Sequence, residues 1–134
     1  MRTPLFAAAL VIGLLSLSPP APAHHAFAAE FDAAKPITLT GVVTKMDWIN
    51  PHSWIHINVK GTDGAMTEWM IECGSPNTLY RRGFTKDSLP AGSEVIVEGY
   101  MAKDGGKRAN GRDVTFRDGK KLFLGSSLGQ EPGK

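Results

Sequence analysis

The chain has four histidines, and their spacing limits the chemistry they could do: His24 and His25 are adjacent, His52 and His56 are four apart. An N-terminal histidine has a use that an internal one lacks. Its α-amine and ring nitrogen chelate one Cu(II) ion, and an imidazole from elsewhere completes a three-nitrogen set of the tetragonal kind that copper(II) favours. With histidine in second position too, the amine, the first backbone amide and the His25 ring offer another way to hold the ion. His52 and His56 lie in "NPHSWIHI", where alternating residues read as a strand. On one strand, residues four apart stand about 13 Å from each other at ~3.3 Å per residue, too far for one ion. His52, behind Pro51 at a turn, is better placed to swing toward another segment. The expected metal set is therefore His24, His25 and His52, with Met70, Met101, Cys73, Glu30 and Asp32 as further candidates.

The His24 chelate requires a new N-terminus, and residues 1–23 supply the means. Arg2 is their only charge; the apolar run "LFAAALVIGLLSL" follows, and the segment ends in "SPPAPA". A short positive start, an apolar middle and an A-x-A end are the marks of a secretory signal peptide. The run is 13 residues long, whereas a spanning helix needs roughly 20. Cleavage after Ala23 makes His24 the first residue and places the mature chain in the periplasm. No cysteine follows the cut, so a lipid anchor is not indicated.

Removing 23 of the 134 residues leaves 111, enough for one small domain. These carry 14 basic and 13 acidic residues, a balance that gives no electrostatic case for nucleic acid or an anionic membrane. A single cysteine, Cys73, makes no internal disulfide, so the fold must rest on its core.

The elements that must position the histidines read mainly as strands. Residues 24–36, "HHAFAAEFDAAKP", form a short N-terminal extension in which Phe27 and Phe31 could pin a helical turn to a core, or lie extended across a sheet. "ITLTGVVTKMDW" is rich in β-branched residues, with Gly41 marking a bulge or bend. "HSWIHINVK" and "AMTEWMIEC" alternate around a "GTDG" turn, which predicts a hairpin. Ile55, Ile57 and Val59 share one face; Trp54, His56 and Asn58 share the other. Ser75 and Pro76 open a short helix that Gly83 interrupts. "EVIVEGYMA", "RDVTF" and "KLFLG" return to strands, and 126–134 reads as a tail. Three strands, a helix and two or more strands follow the order of a five-stranded OB-fold-like barrel over residues 37–125. A small β-sandwich is the competing architecture.

Other chemistry has weaker support. The chain has no phosphate-binding glycine loop, CxxC pair or nucleophile elbow. Trp48, Trp54 and Trp69, with His56, could line a face of the kind on which OB barrels bind strands and sugars. The methionines are spread over different strands, as core fillers are.

As a set, "HHAFAAEFD", "LTGVVTKMDWINPHSWIHI", "GSPNTLYRRGFTKDSLPAGSEVIVEGY" and "AKDGGKRANGRDVT" resemble a family of small exported bacterial proteins known only as a domain of unknown function. The shared features are a His-His-x-Phe start, an Asn-Pro-His with a following Trp, and a Gly-Ser-Pro-Asn stretch, spanning residues 24 to 127. The resemblance implies a periplasmic location and a small β-barrel-like domain, with a small non-thiol residue usual at the position of Cys73. The strand order also resembles that of periplasmic OB-fold binding modules, a likeness of architecture that does not decide function.

The sequence thus points to a periplasmic, non-enzymatic binding protein whose ligand is copper, with carriage or buffering as its role and a periplasmic protein as a candidate partner. The alternative is a metal-free module that takes a peptide, glycan, small molecule or partner protein on its tryptophan face. An oxidative copper enzyme built on the N-terminal histidine ranks last, because so small a domain offers little beyond the metal to position a substrate.

Overall fold

The computed structural model describes residues 23–125, with side chains from Phe27 onward. Residues 1–22 of the expected signal segment 1–23, the expected tail 126–134 and the side chains of His24 and His25 lie outside the described residues.

The alanine-rich start forms helix α1, Ala23–Glu30, as expected where the strongest helix former dominates. Both conformations open to this segment occur: Phe27 lies in the helix and Phe31 begins the first strand. Their rings lie 5.7 Å apart, and Phe27 meets Tyr100 edge-on at 5.7 Å. With Ala102 they make a small apolar cluster of their own, which docks α1 on the barrel.

Six strands follow: β1 Phe31–Asp47, β2 Trp54–Lys60, β3 Met66–Glu72, β4 Glu94–Ala102, β5 Arg108–Phe116 and β6 Lys121–Phe123. Helix α2, Pro76–Arg81, stands between β3 and β4, with Pro76 in its first turn. The Ser75 side chain accepts from Thr78 N at 3.2 Å, which satisfies one of the orphan donors at the helix start. β1 is long enough to serve both sides of the barrel: Pro36–Val42 pair antiparallel with β4, and Gly41–Asp47 with β2. At Gly41 a side chain would stand 2.6 Å from the Asn58 carbonyl oxygen, so this crossing needs glycine. The bulge itself falls between Val43 and Lys45.

The ring closes where β3 runs parallel to β5 through Met70–Arg108, Ile71–Ala109 and Glu72–Asn110. The closed order is β3-β2-β1-β4-β5, with β6 on the outer edge of β5. This is the OB-like barrel, with its one short helix between strands 3 and 4.

Strand alternation fills the interior with Leu39, Val43, Ile55, Ile57, Ile71, Val95, Val97 and Val114, and Leu79 of α2 and Phe84 close over it. Each fully buried aliphatic or aromatic side chain of this size contributes about 1.5–3 kcal/mol over exposure. Glycines set how closely the strands approach. A Cβ at Gly99 would lie 2.1 Å from the Asn110 carbonyl oxygen, at a register shift in the β4–β5 ladder. Backbone cannot yield as a flexible side chain does. Gly99→Ala is therefore expected to destabilise the fold by about 1–3 kcal/mol and to displace β5 around Asn110. Denaturant unfolding, with amide chemical shifts at 108–111, reads both effects.

Candidate functional site

The outer face of the β2–β3 hairpin carries the polar chemistry. Register places Trp54 opposite Glu72, His56 opposite Met70 and Asn58 opposite Glu68. On the β1 side Asp47 faces Trp54 and Lys45 faces His56. On the β5 side Asn110 faces Glu72 and Arg108 faces Met70. Two separate histidine–carboxylate sets result.

The first set lies at the rim where β3 meets β5. His52 precedes β2, just after the cis Asn50–Pro51 bond, and its Nδ1 stands 3.3 Å from Glu72 Oε1. The His52 side chain is 43% exposed and that of Glu72 only 11%. Asn110, itself buried, donates Nδ2–H to the same Glu72 oxygen at 3.2 Å. Burial raises the Glu72 carboxyl above the ordinary range and the Glu30 charge adds to this, while His52, Asn110 and Arg108 oppose it. The set reaches α1 through Arg108, which lies 3.5 Å from Glu30 and 3.1 Å from Asp104. Lys103 completes the attachment: its backbone N–H bonds the Glu30 carbonyl and its ammonium the Ala28 carbonyl. The helix that carries His24 and His25 is thus tied to the rim that carries His52.

The second set is built around His56, which is 5% exposed. Its Nε2 lies 2.9 Å from Asp47 Oδ2 and its Nδ1 3.2 Å from Glu68 Oε1. A carboxylate only accepts, so both bonds form together only when both ring nitrogens carry a proton. Lys45 Nζ also reaches Asp47, at 3.2 Å. The ring staples β1, β2 and β3 together on the outside of the barrel. It is far more buried than a half-exposed strand position suggests.

The other expected site residues divide as the fold dictates. The tryptophans do not share a face. Trp69 is inward and 6% exposed because it has the parity of Ile71 and Cys73, Trp48 packs partly buried against the core, and Trp54 alone stays on the outer sheet. Lys107 covers Trp69, its ammonium 5.1 Å from the ring centroid. Cys73 is 2% exposed, and burial, reinforced by the neighbouring Glu72 charge, pushes its thiol far above the ordinary value. A buried, protonated thiol is no metal ligand. Met70 and Met101 are half-buried, and Asp32 bonds the Ala34 amide of its own segment.

Sequence reasoning missed Glu72, Asn110, Arg108, Asp47 and Glu68. Strand parity alone puts Glu72 and Glu68 on the His56 face, a signal that was present. Asn110 and Arg108 arrive only through the parallel closure of the barrel. Among the described residues no group of three His, Cys, Asp or Glu side chains is placed to hold a metal ion. A centre at His52 must draw further ligands from outside them.

A concavity of about 610 Å³ crosses the outer faces of β1, β2, β4 and β5 and takes in Met66 of β3. Val42, Ile96 and Met66 lie exposed there (37%, 42% and 57%), bordered by Lys60 and by an Arg117–Glu94 pair at 3.0 Å. None of the three tryptophans lines it.

The His56 staple has an acid-side consequence. Partial burial works against ionisation of Asp47, but hydrogen bonds from His56 and Lys45 outweigh it and hold the carboxyl below its ordinary value of 3.8. A lowered carboxyl stabilises the fold above its unfolded-state pKa and loses that contribution as pH falls through the folded one. Asp47→Asn is therefore expected to cost up to about 1 kcal/mol at neutral pH, the site being partly exposed. The difference from wild type should shrink as pH drops below 3.8. Thermal melts of both proteins from neutral pH downward check this.

Neither curated proteins nor solved structures gave a match to this chain. A family model does match, over residues 10–111, and its description is a family of unknown function, DUF6152. The match covers most of the chain, including the strands and turns that build the His52 rim, and the protein belongs to that family.

Proposed function

We propose that the mature chain is a periplasmic, non-enzymatic binding protein that holds Cu(II) through the amine and imidazole of His24, with His25 and His52. Its role would be carriage or buffering. One observation carries the reading: Arg108, two residues before the Asn110 that holds Glu72 beside His52, pairs with Glu30 of α1. It ties the helix bearing the two N-terminal histidines to the rim where an exposed imidazole is already anchored. Nitrogen ligands suit copper(II), and the one thiol, Cys73, is turned into the core. The second reading is a metal-free module, favoured by the apolar concavity around Val42 and Ile96 rather than by a tryptophan face.

Cu(II) titration of residues 24–134 separates the two. An extra N-terminal alanine, which moves the amine away from His24, should weaken binding by more than about tenfold, over 1.4 kcal/mol. His52→Ala should weaken it similarly and His56→Ala should not. Equal, weak binding in all four proteins would refute the copper reading and turn attention to the concavity.

A further inference from the structure

Glu72 is hard to account for as a stabilising residue. It ends β3 with only 9% of its surface exposed, and a well-packed apolar side chain of similar volume commonly does as well or better at such a position. Its surroundings are specific. One oxygen, Oε1, receives the Asn110 amide at 3.2 Å and faces His52 Nδ1 at 3.3 Å. Asn110 is 2% exposed and comes from β5, so the carboxylate is held from across the barrel closure. His52 is the exposed member of the trio. A carboxylate can only accept, so a neutral His52 ring that hydrogen-bonds it carries its proton on Nδ1 and leaves the Nε2 lone pair for another partner.

We propose that Glu72, held by Asn110, is a positioning residue that fixes His52 in the Nδ1–H tautomer and presents Nε2 as the ligand atom for a divalent cation. This rests on the copper reading of the rim. Metal-binding histidines commonly donate their second N–H to a carboxylate, which sets the ring's orientation and raises its basicity. At this rim the carboxylate is locked before any ligand arrives.

The test has one readout that needs no metal. Ring ¹⁵N shifts of His52, recorded at about pH 8, above the ordinary histidine pKa of about 6.5, should report the Nδ1–H tautomer in the wild type. Glu72→Met keeps the volume and removes the acceptor, so it should release the ring to the Nε2–H form. Glu72→Gln keeps an acceptor and should restore the Nδ1–H form. With Cu(II) as probe, Glu72→Met should lower affinity by about 10–100-fold, with a changed copper EPR hyperfine coupling. It should cause no further loss in a His52→Ala background.

An unchanged tautomer in Glu72→Met would overturn the proposal. So would an equal affinity loss with and without His52, since Glu72 would then act through overall charge or folding. Should Glu72→Met not fold, Asn110→Ala, which unties the carboxylate and leaves both partners, must shift the tautomer, and an unchanged ring there overturns the proposal equally. A wild type that binds no copper but shows the Nδ1–H ring refutes the copper ligation and leaves the positioning role standing.

Discussion

Three residue pairs of parallel strand, Met70–Arg108, Ile71–Ala109 and Glu72–Asn110, close this barrel, and most of what is distinctive in the molecule follows from them. They bury Ile71 and Ala109 on the inner side. On the outer side they bring an asparagine and an arginine from β5 against a carboxylate from β3. Asn110 satisfies Glu72; Arg108 reaches beyond it to Glu30 and so fastens α1. Without the closure, Glu72 would be an exposed carboxylate on an open edge and the N-terminal helix would keep only its Phe27 packing and the Lys103 bonds. Gly99 belongs to the same constraint, because the β4–β5 ladder can approach Asn110 only where no side chain intervenes.

The two histidine sets show how one sheet face makes different environments. His56 sits mid-strand, enclosed by ladders on both sides, and each of its ring nitrogens meets a carboxylate. It is consumed by structure. His52 lies just outside β2, so one edge of its ring is anchored and the other remains open. The two are four residues apart in sequence and differ in role because one lies within the strand and one before it.

Much of the architecture was legible in the sequence because it is local. Alternation in "HSWIHINVK" and "AMTEWMIEC" and the Ser75–Pro76 helix start each announce themselves within a few residues, whereas Gly41, read as a bulge or bend, marks the close approach to Asn58 and the bulge falls beyond Val43. The strand order followed from counting elements. The site was less legible. The exposed imidazole of His52 was anticipated from the turn before it, yet its partners were not. Asn110 and Arg108 are 38 and 36 positions beyond Glu72 in the chain, and only the parallel pairing brings them together. The tryptophans misled for a different reason: a large aromatic on a strand is equally at home inside or outside, and the parity shared with Ile71 and Cys73 was the better guide for Trp69.

In the proposed function, the N-terminus of α1 and His52 share one copper ion. Paramagnetic broadening by substoichiometric Cu(II), followed across the amide spectrum of residues 24–134, tests it most directly. Loss of signal is expected at the start of α1 together with His52, Glu72 and the 108–110 stretch of β5, while Val42 and Ile96 in the concavity stay sharp. Broadening confined to the first few residues, with His52 and Glu72 untouched, would contradict it: the copper would then be held by the N-terminus alone.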